Sequence, residues 1–296
     1  MKPKISLVMP SYNQPEYLEE AINSILDQEY PNLEFILIDG GSDDNRSTKK
    51  VSEIIKKYVN YFSYWCSEPD GGHASALNKG FKQSTGDIML WLNSDDIMCE
   101  GSLHKIGDIF EQFPEINWLT GKITFLNPYG WTVSPPTIAH TKYTFINGDA
   151  GGVQSEGTCW RRSLWERAGS SFNVHFQLLC DQELWSRFFL LDELWYIDDS
   201  LAKFRFHDTN RGHLFQDQVV KDFEELLNVM KSKFSEEDLQ IAQQIKGKYL
   251  PLHDKNTRKI ILEAAATFFS TMPPKLINAM PTIEQYITKR TWRKYV

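Results

Sequence analysis

The chain has 296 residues, 41% of them hydrophobic and 13% aromatic, enough to bury a sizeable core as one large domain or as one domain with an appendage. Its formal charge of -7 and sequence pI of 5.6 exclude phosphate-backbone binding as the main activity, because nucleic-acid modules carry a basic field; a nucleotide-sized ligand stays open. Cys66, Cys99, Cys159 and Cys180 fall at no metal-ligand spacing and read as reduced, buried thiols of a cytoplasmic protein.

Met1-Lys2-Pro3-Lys4 runs straight into Ile5 to Met9 with no stretch that reads as a signal peptide. No segment reaches the roughly 18 to 20 apolar residues of a membrane span, so membrane contact is expected to be peripheral, at the inner face. Ile5 to Met9 reads as a strand, closed by Pro10 to Pro15. A helix follows, with Tyr17, Leu18, Ala21, Ile22, Ile25 and Leu26 on its stripe. The cycle repeats with a strand over Leu33 to Ile38, the turn Asp39-Gly40-Gly41-Ser42, and a helix carrying Val51, Ile54, Ile55 and Tyr58. A third strand near Phe62 to Cys66, a helix from about Ala74 to Phe81 and a fourth strand over Ile88 to Leu92 complete a Rossmann-like α/β pattern. It implies a mostly parallel sheet flanked by helices.

Further on, Trp118 to Leu126 and Tyr129 to Val133 read as a hairpin around Asn127-Pro128 that extends the sheet. Ser163 to Ala168 and Asp181 to Leu190 read as helices, and Trp195 to Phe206 as a late strand. After about Gln216 the pattern is helical, with Ile241, Ile245 and Leu250 on later stripes. The expected division is therefore a catalytic domain over 1–215 and a C-terminal helical region over 216–296.

Right-handed crossovers bring the loops after these strands to one edge of the sheet, where ligands bind. Four loops rich in polar residues gather there: Ser11-Tyr12-Asn13, Asp39-Gly40-Gly41-Ser42, Asp70-Gly71-Gly72 and Asn93-Ser94-Asp95-Asp96. Adjacent carboxylates at a strand end can hold a divalent cation whose other ligands are diphosphate oxygens. They serve equally as a turn or a helix cap.

These loops, with Ser67-Glu68-Pro69-Asp70-Gly71-Gly72 through Asn78-Lys79-Gly80-Phe81 and Thr85-Gly86-Asp87 through Asp96, resemble glycosyltransferase family 2 over roughly residues 4 to 210. The resemblance implies a GT-A fold and an inverting transfer of a sugar from a nucleotide-diphosphate donor to a glycan or lipid-linked acceptor, with polysaccharide or glycoconjugate synthesis as the setting. It places Ser11, Tyr12, Asn13, Asp39, Asp70, Asn78, Lys79, Asn93 and Asp96 around the donor, and Mn2+ or Mg2+ on Asp95 with His207. Asp181, in Cys180-Asp181-Gln182-Glu183, matches the catalytic base, with an N-cap as the plainer reading and Glu183 in reserve. Glu156 and Trp160 fall in the segment beside the acceptor, where Trp160 reads as a sugar platform or as a core residue. A sugar nucleotidyltransferase and an inactive glycan-binding relative are the alternatives. The basic, Trp-containing end Lys289 to Lys294 reads as a contact for anionic membranes or as a solvated tail.

Overall fold

A computed structural model describes residues 2–134, 140–148, 153–245 and 293–294. Leu250 and Trp292 lie outside the described residues, so the reading of a membrane-contacting end does too.

Strand β1 (Ile5–Ser11) is buried at every position, which is why its sequence shows no polar alternation. Helix α1 (Pro15–Leu26) starts on a proline, whose missing N–H has no partner to lose in a first turn, and buries Leu18, Ala21, Ile22 and Ile25. β2 (Leu33–Asp39) pairs in parallel with β1, setting Ser11 beside Asp39. α2 (Val51–Tyr58), β3 (Tyr64–Ser67), α3 (His73–Gln83) and β4 (Ile88–Trp91) repeat the cycle, with β3 parallel to β2 and β4 parallel to β1. α3 begins after Gly72 at φ +100°, a backbone that glycine adopts without strain.

Strand β5 (Ile97–Met98) and α4 (Ser102–Gln112) follow the acidic loop, and then β6 (Trp118–Thr120), β7 (Phe125–Leu126), β8 (Thr132–Val133) and α5 (Lys142–Ile146). β9 (Thr158–Arg161), α6 (Arg162–Arg167), α7 (Cys180–Leu191), β10 (Trp195–Tyr196) and β11 (Ala202–Arg205) lead to the helices α8 (Arg211–Leu214), α9 (Gln216–Lys231) and α10 (Glu236–Ile245), with a last pairing strand β12 (Arg293–Lys294).

The large sheet has the order β12-β10-β6-β9-β4-β1-β2-β3, and β4 is central in it. Only β9 and β12 run antiparallel to their neighbours. A second sheet, β5-β11-β7-β8, stands beside the β4 exit. The expected hairpin is thus corrected. β7 and β8 do pair, but in the second sheet, while β6 joins the large one. The late strand over 195–206 is likewise two, β10 in the large sheet and β11 in the small one, because Asp198 to Leu201 turn the chain between them.

Alternation along β1 divides the core. Leu7 and Met9 pack with α1, α2 and α4, and Val8 faces α3, α6 and α7. The second face is aromatic: Trp91, Trp118, Trp160 and Trp185 are all buried, with Trp91 stacked on Trp185 at 5.6 Å. Leu226, Met230, Phe234 and Ala242 belong to this same cluster, so α9 and α10 share the core of the expected catalytic domain.

α3 crosses β1 closely. A Cβ at Gly80 would stand 2.4 Å from Val8 Cγ1 and 3.2 Å from Ile38 Cγ1. Gly80→Ala is therefore expected to cost about 1–3 kcal/mol of stability through overpacking. It should appear as a lower urea midpoint at unchanged slope; a wild-type midpoint would remove the close approach.

Candidate active site

The exits of β1 to β4 meet at one edge, and side chains tie them together. Asn13, in left-handed conformation at φ +54°, receives a hydrogen bond from Asp43 N on Oδ1 (2.8 Å) and donates its own N–H to Ser42 Oγ (2.8 Å). Asp39 is fully buried. Its carboxylate accepts from Ser42 N, Ser42 Oγ and Ser67 Oγ, so it shapes the loop from beneath where a donor contact was expected. Tyr12 is 60% exposed above Gly40. A Cβ at Gly40 would lie 3.2 Å from Asp70 Oδ2 and 3.3 Å from Tyr12 Cδ2, so the ring and the carboxylate flank a strip of bare backbone. Asp70 holds itself in place through Gly72 N (2.7 Å). Ser11 is buried, and its hydroxyl has no partner among the described residues.

At the β4 exit, Asp95 meets His207 through the second sheet. β11 runs antiparallel to β5 with Lys203 opposite Ile97, and continuing that register sets Arg205 opposite Asp95 and His207 two residues on. His207 Nε2 stands 2.9 Å from Asp95 Oδ2, and its ring stacks on Tyr17 at 4.9 Å. Gln14 Nε2 donates to the same Asp95 oxygen (2.7 Å), while Gln14 Oε1 accepts from Ser94 Oγ. Arg205 binds Asp95 O through Nε (2.8 Å) and reaches Glu20 Oε2 through its terminal nitrogen (2.7 Å).

Beneath Asp95 runs a buried polar chain. Asp96 accepts Arg205 N on Oδ1 (2.8 Å), and Asn93 Nδ2 donates to both Asp96 Oδ2 (3.0 Å) and Glu156 Oε1 (2.9 Å). Since that amide donates to carboxylates, its oxygen accepts from His73 Nε2 (3.0 Å), and His73 Nδ1 is left to accept the Cys180 thiol (3.5 Å). Burial holds His73 below its ordinary range and pushes the Cys180 thiol up, which keeps both neutral in these roles. Burial also pushes Glu156 up to about 7 and Asp96 well up, the charges of Glu156 and Asp95 adding to the second, so the pair retains a proton near neutrality. Asp96 and Glu156, expected as donor and acceptor contacts, are buried and brace the site from within.

This chain ends at α7, whose first turn carries Asp181. Leu179 is the N-cap, so the capping alternative for Asp181 does not apply; its Oδ1 accepts the neighbouring Gln182 N (2.7 Å). Burial raises Asp181 to about 6, against the hydrogen bonds from Gln182. Glu183 is committed to Arg187 (2.8 Å), which removes the reserve base. Trp160 is 0% exposed between Trp91, Trp165 and Trp185, so the core reading holds and the sugar platform does not. Asn78 is spent on the backbone of Phe172, with Oδ1 accepting its N–H (2.7 Å) and Nδ2 bonding its carbonyl (2.9 Å). Lys79 pairs with Glu68 at 2.8 Å. Sequence reading missed the roles of Gln14, His73 and Arg205, although each stands within or beside a motif it used; their contacts reach far along the chain and leave no local signal.

The Glycosyl transferase family 2 model matches residues 6–166, more than half of the chain. The chain belongs to glycosyltransferase family 2. This family 2 chain is 26% identical over 277 residues to an uncharacterised glycosyltransferase of Rickettsia conorii, covering 91% of itself and 43% of that protein. It is 33% identical over 104 residues to a Bacillus subtilis protein, TuaG, named for teichuronic acid biosynthesis, covering 35% of itself and 40% of TuaG. The solved structure of S. aureus TarS 1-349 in complex with UDP-GlcNAc superposes with a TM-score of 0.65 at 18% identity, covering 92% of this family 2 chain and 77% of that one. The chain thus spans less than half the length of the Rickettsia conorii relative and of TuaG, and the TarS likeness establishes the GT-A type of fold.

Proposed function

We propose that the chain transfers a sugar from a nucleotide-diphosphate donor to an acceptor hydroxyl with inversion at the anomeric carbon, in the assembly of a polysaccharide or glycoconjugate. The observation that carries this reading is a pair of acidic residues, Asp95 just after the central strand and Asp181 at the start of α7, set about a buried network in which Asn93 joins Asp96 and Glu156 to His73 and Cys180. The exits of β1, β2 and β3 take the nucleoside beside Tyr12, Gly40 and Asp70. Asp181 accepts the proton of the acceptor hydroxyl while that oxygen attacks the anomeric carbon and the bond to the diphosphate breaks.

Mn2+ or Mg2+ fits the donor set at Asp95. Among the described residues no group of three His, Cys, Asp or Glu converges; Asp95 and His207 would hold the ion, with diphosphate and water oxygens as its other ligands. A bound ion supplies positive charge to the departing diphosphate. Gln14 orients the Asp95 carboxylate from behind, and Gln14→Ala is expected to weaken Mn2+ affinity by about 10- to 100-fold in a titration of the nucleotide-bound protein. Unchanged affinity would free Gln14 of that role.

The glycan or lipid-linked acceptor, cytoplasmic placement and peripheral membrane contact belong to the same reading. They rest on the family resemblance; no described helix is long and apolar enough to cross a membrane. The testing experiment follows nucleoside diphosphate release from a panel of sugar nucleotides, beginning with UDP-GlcNAc, the ligand of the solved TarS complex. Release that requires Asp181 supports transfer. Tight donor binding without release, with or without added glycans, would favour the inactive binding relative.

A further inference from the structure

A cleft of about 360 Å³ opens between the segment leading into α7 and the helices α8 and α9. At its inner end Gln177, four residues before Asp181, grips the loop after β3, donating to Gly71 O (3.1 Å) and accepting from Ala74 N (3.3 Å). Arg211, at the start of α8, lines the same cleft. Through Gln177 the cleft adjoins the loop that leads into His73. From there Gln218, Asp222 and Glu225 lie on successive turns of α9, a run of roughly 10 Å at 1.5 Å per residue. Phe215 is 51% exposed at the start of this run and offers a flat apolar face.

From this lining we infer that the cleft is the acceptor subsite and that it takes a neutral glycan chain of more than one sugar ring. The inference rests on the transferase reading above. An aromatic face for the apolar side of a ring, amides that both donate and accept, and carboxylates that accept hydroxyl protons are the groups that hold a polyhydroxylated ligand. The balance of charges in the lining decides against a polyanionic acceptor. Against the cation Arg211 stand the carboxylates of Asp222 and Glu225, held in place by Gln218 (2.6 Å) and His175 (3.0 Å) with their remaining oxygen lone pairs open to a ligand. Repeated phosphates or uronates would meet those carboxylates, while neutral rings would bond to them.

The experiment measures binding by saturation-transfer NMR of neutral hexose and N-acetylhexosamine oligosaccharides of one to four units. Glycerol-phosphate oligomers and oligouronates form the anionic arm. Wild type and the double variant Phe215→Ala, Asp222→Ala are compared, with nucleoside diphosphate titration as the control for folding and for the donor site. Neutral oligosaccharides of two or more units should bind the wild type and bind the variant at least about tenfold more weakly, with nucleotide affinity unchanged. Equal binding by both proteins, preference for the anionic arm, or no oligosaccharide binding by a wild type that binds nucleotide would overturn the subsite. If the wild type binds no nucleotide either, the transferase reading itself fails, and the two failures are thereby distinguished.

Discussion

Asp181→Asn is expected to lower kcat by about 10²- to 10⁴-fold, the range in which a positioned general base contributes, with nucleoside diphosphate affinity unchanged. The amide keeps the shape of the side chain and its contact with Gln182 N, but it cannot take a proton. In the wild type, burial holds Asp181 at about 6, so kcat/KM should rise with pH up to about 6 and level off above it. A stability effect of opposite sign accompanies the loss. A carboxyl whose folded pKa is raised stabilises the fold while it is protonated, and that stability is lost as pH rises through the folded value. At neutral pH the ionised Asp181 is therefore a liability. The shift from 3.8 to about 6 sets the gain from Asp181→Asn at about 1–3 kcal/mol. An inactive variant with a higher Tm at neutral pH and no such gain near about pH 4 is the expected signature. A variant that retains full transfer activity would strip Asp181 of the role of base.

Asp95→Ala is the second large effect. Removing this carboxylate leaves Gln14 Nε2 and His207 Nε2 without their shared partner and takes away an oxygen donor at the diphosphate position. Transfer should fall by about 10²-fold or more, and nucleoside diphosphate binding should lose its response to Mn2+. Asp96 is no substitute, since its carboxylate is buried and committed to Arg205 N and Asn93 Nδ2. His207→Ala should lie between wild type and Asp95→Ala, because on the proposed reading it removes one of two protein donors while Gln14 still holds Asp95.

The parallel half of the fold was legible because buried parallel strands read as short apolar runs and their helices as regular stripes, and β1 through β4 appear within about two residues of expectation. The second half was harder to read. β5, β7, β8 and β10 are two-residue strands, too short for any period to register, and which sheet each joins is decided by partners far away in sequence. β9 was read as an acceptor segment from the family resemblance, and Trp160 within it has two physical uses between which sequence alone does not choose. Burial among Trp91, Trp165 and Trp185 does. The same division runs through the site. Tyr12, Asp70, Asp95, Asp181 and His207 stand where loops after strands and a helix start would put them. Asp39, Asn78, Asp96 and Glu156 are polar residues in the right strings whose side chains turn inward to satisfy buried groups. Gln14, His73 and Arg205 gain their importance from contacts spanning 81, 107 and 110 residues, which no local pattern encodes.

The most direct measurement is a calorimetric titration of wild type and Asp95→Ala with a panel of nucleoside diphosphates, with and without manganese. Binding of one nucleotide that tightens with manganese in the wild type and loses that dependence in Asp95→Ala is the expected result. No nucleotide bound under any condition, or identical manganese dependence in both proteins, would contradict a donor site at the end of β4.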